Sequence, residues 1–355
     1  MQEAKSARYL GNYITSKGGN QKTIEERRNI GWGRVAKILG IIGEVDMGIH
    51  RIEAGLILRK AMLTNSLLFC AEAWSDVSDA DIRRLEQVDT ALLKSLVKGH
   101  SKTPVIFHHL EMGTLKLRHM LMQNRLLYHQ HILTRDDSET IKKIYFKQKE
   151  ESCRGDWYKI IQRDFQFLGI KMDENVIINT PKLVYKKFIK SLIKKAAFEE
   201  YMQEKSSKSK LDEVTYESLK IQPYLTEYKF NTQEKNLLYS LRSRSHPAKS
   251  NYKKMYNNQL QCTFLCLENE DQKHIFEKCE KIRAQLHTIE ATELSQIYKD
   301  LNQQIQAAKY FIQVEEIRCL MVQKLNQNED PVAVDSALLQ GDPLHILPGG
   351  LSART

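Results

Sequence analysis

Four residues near the end of the chain constrain its fold more than any other feature. Cys262, Cys266, His274 and Cys279 form a Cys-x3-Cys-x7-His-x4-Cys string. Cysteines separated by three residues can share one tight turn and aim both sulfurs at one point. A histidine and a cysteine downstream can close a tetrahedron from the other side. Soft thiolates plus one imidazole, with no position left for water, are the ligand set of a structural zinc site. Each ligand must lose its proton, so binding the metal and folding the segment become one event. Three thiolates around one Zn2+ leave about one net negative charge, which Lys273 and Lys278 are placed to offset. Ile275 and Phe276 are the apolar pair available for a small core. The plainer reading treats the thiols as small core hydrophobes, but four ligands at compatible spacing in so short a segment favour a CCHC zinc knuckle.

A knuckle this small needs a larger body. The chain has 355 residues, 41% of them hydrophobic, enough for two or three domains with a sizeable core. Its 54 basic and 44 acidic residues leave a net charge of +10, which suits polyanionic partners such as RNA and DNA. The segment from Met1 to Lys17 lacks the apolar stretch of a secretory leader, and three of the six cysteines belong to the knuckle. The expectation is an intracellular protein, of nucleus and cytoplasm, without disulfides. The longest apolar stretch, Ala54 to Trp74, is broken by Arg59 and Lys60, so no membrane partner is expected. A closed Cys3His site argues against a zinc hydrolase, and no Gly-rich loop ending in Gly-Lys-Ser/Thr is present to cradle a nucleotide.

The periodicity predicts a mainly α fold. Residues 1–22 read as a short β-hairpin, with aromatic and β-branched residues around Gly11 and then Gly18-Gly19. Residues 23–135 read as a helical bundle. Its first helix is expected to open on a Thr23/Glu26 capping box, with Gly31, Gly33, Gly40 and Gly43 weakening it or admitting another backbone. A second helix is expected from about Gly48 to Cys70. A third, capped by Ser78 and Asp81, turns Ile82, Leu85, Leu92 and Leu96 inward. A fourth runs from about Leu115 to Thr134, with Lys116, Arg118 and Arg125 outward. His119, His129 and His131 read as solvated or stacking rather than as ligands, since His129 and His131 point to different sides of a helix. Asp136-Asp137 reads as a solvated helix end rather than a catalytic pair.

Residues 136–260 form a basic helical connector. Thr180 and Pro181 open a helix with Lys182, Lys186, Lys190 and Lys194 on one face and Phe188, Ile189, Leu192 and Ile193 on the other. Such a row is either a solvated face or a track for phosphates. Asn231 and Glu234 open a further helix. Residues 242–256 then carry Arg242, Arg244, Lys249, Lys253 and Lys254 with Tyr252 and Tyr256 between them and no acid. Cations for phosphates with aromatic faces for bases are the composition of a single-strand-binding surface. This strap runs into the knuckle, residues 261–285. An amphipathic helix follows over 286–326, with Leu294, Ile297, Leu301, Ile305, Ala308 and Ile312 in register and Cys319 in its core. Residues 327–355 read as a disordered tail.

The order of these features resembles the C-terminal portion of non-LTR (LINE-type) retrotransposon reverse transcriptases. The likeness covers roughly residues 8–285. It is carried by Tyr9-Leu10-Gly11, Gly31-Trp32-Gly33, Leu56–Arg59, Glu72-Ala73-Trp74, Leu85-Glu86-Gln87-Val88-Asp89, Thr103-Pro104, Leu110-Glu111-x-Gly113, the Arg125–Leu133 helix with its His-x-His, Gly155-Asp156-Trp157-Tyr158, and His274-Ile275-Phe276 before Cys279. The resemblance implies that Tyr9, Leu10 and Gly11 belong to a primer grip closing a palm. It implies that the bundle is a thumb holding the template–primer, and that the basic region and knuckle hold element RNA or target DNA. In that family an RNA-directed DNA polymerase extends a nicked chromosomal site, with Mg2+ held by carboxylates that precede the primer grip. Nothing before Tyr9 supplies them here. The expectation is a fragment that lacks its own polymerase site and needs Mg2+ only as part of the intact polymerase. The alternative is a zinc-stapled helical scaffold that binds protein partners.

Overall fold

The structure is a computed structural model. It describes residues 6–9, 12–15, 19–44, 50–74, 77–151, 156–252, 259–285, 293–298 and 300–326. The fold is mainly α after one short hairpin. Two compact units divide between Ser245 and His246.

In the first unit, strand β1 (Ser6–Tyr9) pairs antiparallel with β2 (Asn12–Thr15), Tyr9 opposite Asn12. Leu10 and Gly11 lie outside the described residues. Helix α1 (Gln21–Glu44) starts before the expected cap. Thr23 lies inside it, and its hydroxyl accepts the Tyr13 backbone N–H at 2.8 Å. The side chain that sequence logic assigns to a helix end ties the hairpin to the helix instead. Of the four glycines named in α1, Gly31 provides the close approach: a Cβ there would lie 2.6 Å from the Leu67 side chain, whereas Gly33, Gly40 and Gly43 face open space.

The expected second helix is interrupted. Helix α2 (Arg51–Leu58) widens into a π turn over Arg59–Thr64 before the short α3 (Asn65–Leu67). At the start of that turn Arg59 is buried and forks onto Asp89 at 2.6 and 2.7 Å, also donating to the Leu115 carbonyl at 3.0 Å. Asp89 belongs to α4 (Asp79–Leu96), which opens on the expected Ser78/Asp81 capping box and buries Ile82, Leu85, Leu92 and Leu96.

Helix α5 (Val105–Glu111) ends at Gly113, which has φ +60°, and a Cβ there would lie 2.4 Å from the Ile221 nitrogen. Only glycine meets both conditions. That contact lets Glu111 sit fully buried, accepting the Tyr216 and Tyr224 hydroxyls at 2.6 Å each and the Arg242 guanidinium at 2.8 Å.

Helix α6 (Leu117–Leu133) is surrounded by α7 (Thr140–Glu151), α8 (Trp157–Phe167), α9 (Glu174–Asn179) and α10 (Lys182–Ser206). One apolar cluster runs from Met122 and Leu126 through Tyr145, Trp157 and Phe165 to Ile189 and Ile193. It crosses residue 135, where the sequence reading separates a bundle from a connector. The cations assigned to the outside of α6 are largely taken inward. Lys116 pairs with Glu204 at 2.6 Å, Arg125 with Asp164 at 2.7 Å, and Arg118 with Glu200. Of the two expected states for the histidines, solvated or stacking, His119 and His129 take the second: both are buried among aromatic rings, His119 between Tyr201 and Glu200 and His129 against the Tyr145 hydroxyl at 2.9 Å, while His131 stacks on Tyr128. Short α11 (Pro223–Thr226) precedes α12 (Thr232–Arg242), which carries the expected Asn231/Glu234 capping box.

The second unit holds the knuckle segment, α13 (Glu280–Gln285), α14 (Leu294–Ile297) and α15 (Leu301–Asn326). Where one amphipathic helix was expected, Asp300 starts a new one: its carboxylate accepts the Asn302 N–H at 2.8 Å. The buried stripe of α15 is Ala307, Ala308, Phe311, Val314, Ile317 and Met321. That register leaves Cys319 exposed, correcting its assignment to the core. Residues 327–355 lie outside the described residues.

The Arg59–Asp89 pair supports a specific expectation. Arg59→Met strands a buried carboxylate and should lower unfolding free energy by about 3–5 kcal/mol in denaturant melts. Adding Asp89→Leu should recover much of that loss. A double variant as unstable as the single one would show that the charge pairing is not what holds α2 to α4.

Candidate metal centre

The knuckle is built from two backbone devices. Residues 261–269 form a tight loop: Cys262 N–H donates to the Glu268 carbonyl at 2.9 Å, Leu265 N–H to the Cys262 carbonyl at 3.0 Å, and Gln261 bridges Asn269. This puts Cys262 and Cys266 on one side of the loop. Leu265 adopts φ +58°, the left-handed conformation that closes the turn. A π turn over His274–Lys278 then brings Cys279 under the histidine, with Cys279 N–H donating to the His274 carbonyl at 2.7 Å.

All four expected ligands come together. One donor atom from each of Cys262, Cys266, His274 and Cys279 lies within 4.8 Å of the others, and the Cys266 and Cys279 sulfurs are 3.3 Å apart. Thiolates about 2.3 Å from a tetrahedral ion would stand about 3.8 Å apart. The cluster can therefore hold a metal ion with small adjustments. The histidine is already oriented for it. Its Nδ1 bonds to the Glu268 carboxylate at 3.1 Å, and its Nε2 is buried with no hydrogen-bond partner. A carboxylate on the far nitrogen is how metal-binding imidazoles are commonly held, fixing tautomer and ring plane.

A hydrogen bond from Cys279 holds the Cys262 thiol down to about 5. The same bond, together with burial, pushes Cys279 well above the usual thiol range, and burial raises Cys266. Thiolates this close repel each other, which opposes ionisation of all three together. A cation among them removes that restriction.

Ile275 and Phe276 are buried as expected, but the core they join is larger than the knuckle. Phe276 packs edge-on against Phe311 of α15 at 4.8 Å and against His246 at 5.4 Å. Glu270 anchors this core. It is fully buried and accepts Arg318 of α15 at 2.9 Å, the Thr263 N–H at 2.8 Å and the Thr263 hydroxyl. Burial opposes its ionisation, yet Arg318 and Thr263 hold its carboxyl below the usual range. Arg318 also donates to the Pro247 carbonyl at 2.7 Å, and His246 meets Glu315 at 2.8 Å. Sequence reasoning missed Glu268, Glu270 and Arg318. Leu-Glu-Asn-Glu-Asp reads as a solvated acidic loop, and nothing local separates the buried glutamate from its exposed neighbours.

The residues expected to meet nucleic acid are dispersed. Arg242 is buried on Glu111 in the first unit, so it is corrected from a surface contact to a core residue. Arg244 pairs with Glu213 at 2.6 Å. In the second unit Lys249 donates to the Gln261 carbonyl at 2.7 Å, buttressing the metal loop. Tyr252 ends a short 3-10 turn, and Lys253, Lys254 and Tyr256 lie outside the described residues. Lys182, Lys186, Lys190 and Lys194 are all exposed along α10, with no ion pair among the described residues. No described helix is long and apolar enough to cross a membrane.

Comparison with protein-family models, with curated proteins and with solved structures finds no match to this chain.

Because Glu268 orients the ligand imidazole, Glu268→Ala should weaken metal binding about ten- to a hundredfold, read by competition with a chromophoric chelator. Unchanged affinity would show that the ring is held by its packing alone.

Proposed function

We propose that this chain is a nucleic-acid-binding portion of a LINE-type reverse transcriptase, with a structural zinc knuckle, that holds template–primer and element RNA or target DNA. The observation that carries the reading is the lysine row of α10. Among the described residues, Arg242, Arg244 and Lys249 of the expected binding region are engaged with Glu111, Glu213 and a backbone carbonyl. Lys182, Lys186, Lys190 and Lys194 instead stand exposed on a helix with no acid before Glu199. Exposed lysines hold counter-ions that a polyanion displaces, and that release drives phosphate binding. The order of motifs supports the family, and the metal site supports a chain that carries a rigid small module in addition to a basic helix.

Zinc is the ion the donor set suits. Three thiolates and an imidazole are soft and tetrahedral, and they leave no position for a reacting water. Its part is to fold the knuckle. Lys273 and Lys278 are exposed beside it.

The Glu270–Arg318 bond favours a second reading. It ties the metal loop to α15 through a buried charge pair, as expected of a zinc-stapled helical scaffold for protein partners.

Salt-dependent binding separates the two readings. For structured RNA or nicked duplex, log affinity should fall linearly with log salt. Replacing Lys182, Lys186, Lys190 and Lys194 with Gln should reduce the slope by about 3.6 on duplex. Zinc removal should melt the knuckle segment in circular dichroism. A flat salt response, with stability alone following zinc, would leave the scaffold reading standing.

A further inference from the structure

The three thiols of the metal centre differ in what can reach them. Cys262 and Cys279 are buried, whereas Cys266 is half-buried. Its neighbours in the chain, Leu265 and Leu267, are 59% and 97% exposed. A small polar oxidant therefore meets Cys266 first. Cys319 is exposed as well, but the group its thiol faces is the Glu315 carboxylate, at 3.8 Å. Cys266 faces a second thiol, that of Cys279, with the sulfurs 3.3 Å apart.

That separation falls between two bonded states. Bonds of about 2.3 Å to a tetrahedral ion would hold the sulfurs about 3.8 Å apart, and a disulfide joins them at about 2.05 Å. Each sulfur arrives on a short turn. Leu265, in the left-handed conformation, turns the chain just before Cys266, and the π turn over His274–Lys278 delivers Cys279. Either bonded state is therefore within reach of small movements in two turns. A reachable thiol beside a second thiol is also the arrangement in which a sulfenic acid is trapped as a disulfide before it is oxidised further.

We propose that Cys266 and Cys279 are a peroxide-sensitive pair whose disulfide releases the metal from the knuckle. This rests on the metal-site reading above and adds its regulation. The Cys266 sulfur attacks one oxygen of hydrogen peroxide, the O–O bond breaks, and water leaves a sulfenic acid on Cys266. The Cys279 sulfur then attacks the Cys266 sulfur, the S–S bond forms, and the sulfenic oxygen leaves as a second water. Two thiols and one peroxide give one disulfide and two waters. Each sulfur loses one electron and the peroxide gains both. From the metal-bound state the sulfurs start as thiolates, and solvent supplies the two protons. Cys262 and His274 are then the ligands that remain, half of what a structural zinc site requires. Because the metal folds this segment, its release also loosens the knuckle.

The test uses the full chain loaded with zinc, its metal content first measured with a chromophoric chelator. Equimolar hydrogen peroxide should release the zinc, and dithiothreitol with added zinc should restore it. Trypsin cuts after Lys273 and Lys278, so Cys279 leaves on a different peptide from Cys262 and Cys266. A disulfide then appears as a linked mass that reduction divides, and fragmentation should place the bond at Cys266. Cys319→Ser should keep both the linkage and the zinc release, whereas Cys266→Ser should lose the linked mass. Zinc retained in excess peroxide, a sulfinic acid on Cys266 without the linkage, a bond from Cys262 instead, or a bond between two chains would overturn the inference and leave the metal reading intact. A chain that holds no zinc before peroxide is added would defeat the metal reading, and this one with it.

Discussion

A carboxylate buried away from water is tolerated only where a cation and further donors meet it. This chain sets such pairs at the joints between its elements. Arg59 reaches Asp89 where α2 widens onto α4, Arg125 reaches Asp164 between α6 and α8, and Arg242 reaches Glu111 with Tyr216 and Tyr224 closing the remaining lone pairs. In the second unit Arg318 reaches Glu270 and so joins the metal loop to α15. Each pair fixes both partners, because leaving either one alone would strand a charge.

These pairs decide what the net positive charge can do. Counted along the chain, arginines and lysines look interchangeable as a basic surface. In the fold their positions differ from residue to residue. Arg59, Arg242 and Arg318, whose planar guanidinium groups can fork onto a carboxylate, are buried, as is Lys116, whereas Arg83, Arg84 and Arg163 stay exposed. The exposed population is dominated on α10 by lysines, whose flexible ammonium groups stay in water. Arg242, at the end of α12, is withdrawn from the surface, whereas Lys182, Lys186, Lys190 and Lys194 of α10 remain exposed.

The knuckle shows the same division between local and distant causes. Its four ligands lie within eighteen residues, and the turns that gather them are local, so spacing alone identified them. Ile275 and Phe276 were recognisable as core for the same reason. Glu270 was not, since its burial depends on Arg318, forty-eight residues away. Cys319 was misplaced because its burial depends on which stripe of α15 faces the knuckle, and that is set by Phe276 packing against Phe311.

By itself the sequence determined the helical class, the capping boxes at Ser78 and Asn231, the inward stripe of α4 and the four residues whose cluster could hold a metal ion. All of these rest on contacts within a few residues, where propensity and periodicity act directly. Only the tertiary structure decided that Thr23 docks the hairpin instead of capping a helix, that the second helix widens at Arg59, that Arg242 is a core residue, and that Phe188 faces solvent. In the first three cases a partner distant in the chain competes for the side chain; Phe188 is left outside because the buried row of α10 is Tyr185, Ile189, Ile193, Ala197 and Tyr201. A buried charge or an orphaned hydroxyl costs more than a helix propensity gains, so the distant partner prevails.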